Sequence, residues 1–239
     1  MSLIDAVRTG NAELLQKLIE TNADLEVKDT DGVPALTWTV FYNDFRGMRL
    51  LIAAKADLEA TDLEGKTALM WATRHGKIES LQLLIAANAN LETRDYHSRT
   101  AVIWASVREQ PECLRLLIAA NAALEARDAD GLTTLMWAAY RGNIECLQLL
   151  IAAKADLETK DFDGKTALIK CALSGHVNES FLFLIAAKAD LEAEDVNGRT
   201  ALMWIAGRSC LRNLELLLDA KVEQEANDID GFMSRMRLM

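Results

Sequence analysis

An aspartate returns at a fixed interval along the chain, at Asp29, Asp62, Asp95, Asp128, Asp161, Asp195 and Asp228. The step is 33 residues throughout, except for 34 between Asp161 and Asp195, where the extra residue falls in the stretch 175–180. A period of this length marks tandem structural units rather than one conventional core. Six full repeats follow, at 29–61, 62–94, 95–127, 128–160, 161–194 and 195–227. They are flanked by a partial amino-terminal cap at 1–28 and a partial carboxyl-terminal cap at 228–239, and the expectation is a single domain over 1–239.

The clearest copy, 62–94, can be read residue by residue. Asp62-Leu63-Glu64-Gly65 is a turn, with glycine where a positive φ is wanted. Thr67 is placed to cap a short helix over Ala68 to His75, ended by Gly76. A second helix runs from Ile78 to about Ala87, with Ile78, Leu81, Leu84 and Ile85 on one apolar face. Asn88 then fits a left-handed cap, and Ala89 to Glu92 lead on in extended form. One such unit cannot close a core, so the units must stack as antiparallel helix pairs with hairpin-like turns projecting from one side. A bundle of long helices is excluded by turn residues every dozen positions.

The run Asp-x-x-Gly-x-Thr-Ala-Leu-Met-Trp-Ala, then Gly-x-x-Glu-x-Leu-x-Leu-Leu-Ile, then Ala-Asp-Leu-Glu resembles the ankyrin repeat and covers nearly the whole chain. The resemblance implies an all-α ankyrin-repeat solenoid whose turn tips and first helices line a concave binding groove. The departures carry information. The family's Thr-Pro-Leu-His segment is here Thr67-Ala68-Leu69-Met70 or Thr166-Ala167-Leu168-Ile169, so the histidine's hydrogen bonds between repeats are absent. The glycine after the second helix is replaced by Asn22, Asn88 or Asn121, and by Lys55, Lys154, Lys188 or Lys221. A left-handed lysine costs about 1–2 kcal/mol, which favours a different turn at those four positions. Repeat 95–127 is the irregular one, with Ser98 and Glu109 for glycines and Pro111 at a first helical position. Drift and a specialised centre both account for it. Where many ankyrin repeats carry a hydroxylatable asparagine this chain has Glu26, Glu59, Glu92, Glu125, Glu158, Glu192 and Glu225, so no such modification is expected.

All five tryptophans share one position, nine residues after the marker: Trp38, Trp71, Trp104, Trp137 and Trp204. Lys170 interrupts the series and Asp5 holds the same register in the first partial unit. Residues three and four further on share a helical face with each tryptophan, and they include Arg74, His75, Arg108, Tyr140, Arg141 and Arg208. Tyr96, His97 and Phe162 occupy turn tips, while Lys66, Arg99, Lys165 and Arg199 add positive charge just beyond them. The acidic residues fall elsewhere, in the segments after the second helices and on those helices. The expected binding face is therefore an aromatic ladder interleaved with cations, comprising Trp71, Arg74, His75, Tyr96, His97, Arg99, Trp104, Arg108, Trp137, Tyr140, Arg141, Phe162 and Arg208. A packing role competes with binding: tryptophans at one repeat position also fill volume between units.

The net charge of −10 argues against nonspecific binding to nucleic acid or anionic membranes, and no apolar run reaches the roughly 20 residues of a membrane span. The amino terminus lacks the blocks of a signal peptide, and Met1 leading directly into a helix pair suggests a complete start. Cys113, Cys146, Cys171 and Cys210 show neither a CxxC pair nor metal-ligand spacing, and read as reduced thiols of a cytoplasmic or nuclear protein. His75, His97 and His176 lie in different repeats without a nucleophile or base at useful spacing. No catalysis, cofactor or metal is expected. The expected partner is another protein, presenting an acidic or phosphorylated segment to the groove. The competing readings are a nucleotide-like ligand, an aromatic cage for methylated lysine, which the arginines would oppose, and a structural spacer or self-association module. A monomer is expected, with pairing through the apolar stub residues Phe232, Met233, Met236, Leu238 and Met239 as the alternative.

Overall fold

The computed structural model of the chain describes residues 2–174 and 178–206. The chain divides into two compact units, Met1–Thr134 and Leu135–Met239. In the first lie α1 (Leu3–Arg8), α2 (Ala12–Glu20), α3 (Ala35–Tyr42), α4 (Phe45–Ala53), α5 (Ala68–Arg74), α6 (Ile78–Ala86), α7 (Ala101–Val107) and α8 (Pro111–Ala119). At the boundary begins α9 (Thr134–Arg141), and the second unit continues with α10 (Ile144–Ala152), α11 (Ala167–Ser174), α12 (Asn178–Ala186) and α13 (Ala201–Ala206). No strand occurs among the described residues, only an isolated antiparallel bridge between Lys28 and Pro34.

Within the first unit the odd-numbered helices stack on one another, α1 on α3, α3 on α5 and α5 on α7; the even-numbered ones form a second row. Each pair also packs internally, as α5 does on α6 and α7 on α8. The second unit repeats this arrangement, with α11 against α13, α10 against α12, and α11 against α12. The first helices are the more deeply buried: every residue of α7 is buried, whereas α8 buries only Cys113, Leu114 and Leu117. Such short helices gain their stability from this packing rather than from propensity.

The local readings hold closely. Thr67 caps α5 by accepting the Met70 N–H, Pro111 opens α8, and Gly65, Asn22, Asn88 and Asn121 all have positive φ. The amino-terminal unit is a helix pair started by a capping box, in which the Ser2 N–H donates to Asp5 at 2.8 Å and the Asp5 N–H donates to Ser2 Oγ at 3.1 Å. The lysine positions differ from expectation. Lys55, Lys154 and Lys188 adopt the left-handed conformation at φ 65°, 62° and 66° rather than another turn. The geometry closes the helix: the Lys55 N–H reaches the Ile52 carbonyl and the Ala56 N–H the Leu51 carbonyl, each at 3.0 Å. Satisfying those terminal carbonyls outweighs the side-chain strain. Ser98 and Glu109 are also left-handed, at φ 58° and 56°, so the irregular repeat keeps its backbone despite losing two glycines.

The turns are hairpin-like. At each marker from Asp29 to Asp195 the aspartate N–H donates to the carbonyl four residues on, as Asp62 does to Lys66 at 3.0 Å. Turns of adjacent repeats also join: the Tyr96 N–H donates to the Glu64 carbonyl at 3.1 Å, and that of Ala129 to the His97 carbonyl at 2.8 Å. The turn glycine has a second role, because a Cβ on Gly65 would stand 2.7 Å from the Tyr96 ring, and one on Gly32 would stand 2.5 Å from Leu63. Tip side chains thus lie over the glycine of the preceding turn.

A further staple joins consecutive repeats. Glu26 accepts the Asp57 N–H at 2.9 Å, Glu59 the Asn90 N–H at 2.7 Å, Glu92 the Ala123 N–H at 2.8 Å and Glu158 the Asp190 N–H at 2.8 Å. These are the glutamates at the position where the family's asparagine would stand. Cys113, Cys146 and Cys171 are buried thiols, and burial raises that of Cys113 to about 11 and that of Cys171 to about 12.

Candidate functional site

The marker aspartate organises the face that the tryptophans occupy. Its Oδ1 accepts the N–H groups two and four residues on, which fixes the turn; in the second full repeat these come from Glu64 at 2.8 Å and Lys66 at 2.9 Å. Its Oδ2 accepts the indole N–H of the tryptophan nine residues away. That bond measures 3.0 Å for Trp38 to Asp29, 2.7 Å for Trp71 to Asp62, 2.9 Å for Trp104 to Asp95 and 3.1 Å for Trp204 to Asp195. At the interruption, Lys170 places its Nζ 2.5 Å from Asp161 Oδ2 and supplies the missing donor as a cation. The tryptophan register is therefore set by a bond to the turn of its own repeat.

In the first unit the sequence-predicted Arg74 and Arg99 stand over the Trp104 indole, Trp71 and His75 join through Arg74, and Arg108 caps the helix that carries Trp104. Trp104 is only 5% exposed, and around its ring centroid stand the Arg74 guanidinium at 5.0 Å, that of Arg99 at 5.2 Å and the Lys66 amine at 5.6 Å. Arg74, the last residue of α5, is also 6.0 Å from the Trp71 ring, which stacks on His75 at 5.0 Å and 20°. Arg108 is exposed and caps the end of α7.

The charges in this cluster are unequally compensated. Lys66, 1% exposed, pairs with Glu64, and Arg99 Nε lies 3.6 Å from Asp128. Asp62 and Asp95 are buried and already bound to turn amides and indoles. Arg74 has no carboxylate in ion-pair range among the described residues, and its buried Nε has no hydrogen-bond partner. Burial, followed by the charge of Arg108, holds the Arg74 guanidinium below its ordinary value. Burial likewise lowers Lys66, and burial with Arg74 and Arg108 lowers His75. Three neighbouring groups thus carry a cost for positive charge.

The remaining predicted residues lie apart from this cluster. Tyr96 and His97 are exposed at a turn tip, Tyr96 by 75%. In the second unit the Tyr140 ring meets Trp137 edge-on at 6.0 Å and Arg141 stands 5.9 Å from the same ring. Phe162 is 68% exposed at its own tip. Arg208 lies outside the described residues, as do Cys210, Lys221 and the stub 228–239.

One member of the face, and the burial of another, escaped sequence reasoning. Arg8 lies 4.4 Å over the Trp38 ring and 3.1 Å from Asp29; its register equivalence with Arg74 was the available signal. The burial of Lys66 had none, since its neighbours Gly65 and Thr67 mark it only as a turn residue.

Among the described residues no helix is long and apolar enough to cross a membrane. The family model described as Ankyrin repeats (3 copies) matches residues 3–95, 87–161 and 151–230. Among solved structures 532 chains match. One is the crystal structure of the ankyrin repeat domain of Bcl-3, described as a unique member of the IkappaB protein family. It is 25% identical, with a TM-score of 0.81 over 91% of this chain and 97% of that one. No curated protein sequence matches the chain.

Proposed function

Since the chain belongs to the ankyrin-repeat family, whose members generally serve as protein-interaction modules, we propose that it is a non-catalytic scaffold that takes an acidic or phosphorylated segment of a partner protein onto the tryptophan face of its first unit. The observation that carries this reading is Arg74: a guanidinium 5.0 Å from one indole and 6.0 Å from another, with its Nε buried and unpaired, at the end of a helix packed on the one that the exposed Arg108 caps. Arginine with aromatic side chains is the combination enriched where binding energy concentrates. A buried donor without a partner costs about 1–3 kcal/mol, which an incoming anion would recover.

Nucleotide binding is the weaker reading. A base needs an open aromatic face, yet Trp104 is buried among three cations, Trp71 is stacked on His75, and Trp38 is stacked on Tyr42 at 5.5 Å. The test is affinity capture from native lysate with the wild type and an Arg74→Glu/Arg108→Glu variant of matched stability. Partners held by the wild type and lost by the variant support the reading. Identical partners would assign these residues to packing and surface.

A further inference from the structure

The cluster around Trp104 is more selective than an acidic-segment site needs to be. An acidic side chain brings one negative charge and two acceptor oxygens. A phosphorylated one brings about 1.5–2 negative charges at neutral pH and three strong acceptors. Within this cluster, Lys66 and Arg99 have carboxylate partners, whereas Arg74 and Arg108 have none in ion-pair range among the described residues. Each neighbouring acid is already engaged: Glu64 by Lys66, Asp128 by Arg99, and Asp62 and Asp95 by turn amides and indoles. Both oxygens of Asp62 and Asp95 are already spent on N–H donors, and the two oxygens of an incoming carboxylate are used up by one bidentate guanidinium, whereas the three acceptors of a phosphoryl group can serve both arginines.

The geometry also restricts how the anion arrives. Arg74 is carried by the rings of Trp104 and Trp71, at 5.0 Å and 6.0 Å, so its planar fork is held rather than free to follow a ligand. A preset fork pairs bidentately with a phosphoryl group and leaves that group a further acceptor for a second donor. The exposed Tyr96 ring, lying against Gly65, belongs to the turn that leads into α7 and offers an apolar contact for a flanking peptide residue.

We propose that Arg74, held over the Trp104 ring at the end of α5, and the exposed Arg108, which caps the adjacent α7 four residues after Trp104, form a receptor for a phosphorylated side chain of a partner protein, so that binding by the first unit is gated by phosphorylation. This rests on the groove-binding reading above and names its ligand.

The test uses the full chain and three fluorescein-labelled degenerate peptide pools that differ only at a fixed central residue: serine, glutamate or phosphoserine. Fluorescence anisotropy is expected to show the phosphoserine pool binding at least about tenfold more tightly than the glutamate pool, the equivalent of one extra charge-assisted contact. Arg108→Gln, at an exposed position, should bring the phosphoserine pool down to the glutamate level, and Arg74→Lys should weaken it while keeping the charge. Arg115→Gln, on α8 and paired with Glu112, should change nothing. Thermal melts of each variant confirm that it folds. Equal binding of the glutamate and phosphoserine pools would overturn the dianion receptor while leaving the acidic-segment reading standing. Loss of discrimination between all three pools, with no response to Arg108→Gln, would remove both. Displacement by ATP more readily than by unlabelled phosphoserine peptide would replace the protein segment with a nucleotide.

Discussion

At Asp29, Asp62, Asp95 and Asp195 the two carboxylate oxygens have separate tasks, one tying the turn and the other holding the indole of the same repeat. Trp71→Phe keeps most of the apolar area but removes the donor to Asp62, leaving a buried carboxylate oxygen without its 2.7 Å partner. A loss of about 2 kcal/mol is expected in urea unfolding, as for other hydrogen bonds to charged groups. An unchanged midpoint would mean that water replaces the indole. His75 provides a second test at this scale. Burial, then the charges of Arg74, Arg108, Lys77 and Lys66, hold its imidazole below 6.5, so the native chain takes up this proton later than the unfolded one as pH falls. The corresponding stability is complete above pH 6.5 and is lost as pH falls through the lower folded value. Unfolding midpoints measured from about pH 7 to 5 should therefore decline less steeply for His75→Gln than for the wild type.

The helix ends show how an element tolerates an unfavourable residue. Lys55, Lys154 and Lys188 stand left-handed where glycine or asparagine would be easier, because only that conformation aims the following amides at the last carbonyls of the helix. Lys55→Gly should stabilise the first unit by about 1 kcal/mol, the left-handed penalty less the entropy that glycine adds to the unfolded chain. Chemical denaturation measures this directly, and a destabilised variant would show that the lysine stem contributes packing worth more than its strain. The glutamate staples act between elements. Glu59 bonds both the Asn90 N–H and, at 2.5 Å, the Thr93 hydroxyl, so it fastens the segment after α4 to the segment after α6. These bonds give the acidic residues of the connecting segments a structural role, not only a solvating one.

For the whole molecule, a net charge of −10 coexists with a cationic cluster in the first unit. If that cluster meets its partner electrostatically, the dissociation constant should rise with added salt, since exposed charges are screened beyond about 10 Å at 0.1 M. Titrations over a range of sodium chloride concentrations check this, and a salt-independent constant would point to apolar contact through the turn tips. The fold was legible because a 33-residue period, turn glycines and helical apolar spacing are local signals that every copy repeats. The same register located Trp71, Arg74, His75, Trp104 and Arg108 on one face, and the i, i+9 pairing of aspartate with tryptophan was visible as a pattern without its meaning. Only the packed structure supplied that meaning. It decided that Lys170 could take the place of an indole, that Lys66 is buried while Arg108 is not, that Glu59 reaches the next repeat, and that Arg74 is left without a carboxylate partner in ion-pair range among the described residues. Those outcomes depend on what lies across the gap between repeats, and spacing along the chain says where a side chain starts, not which neighbour satisfies it.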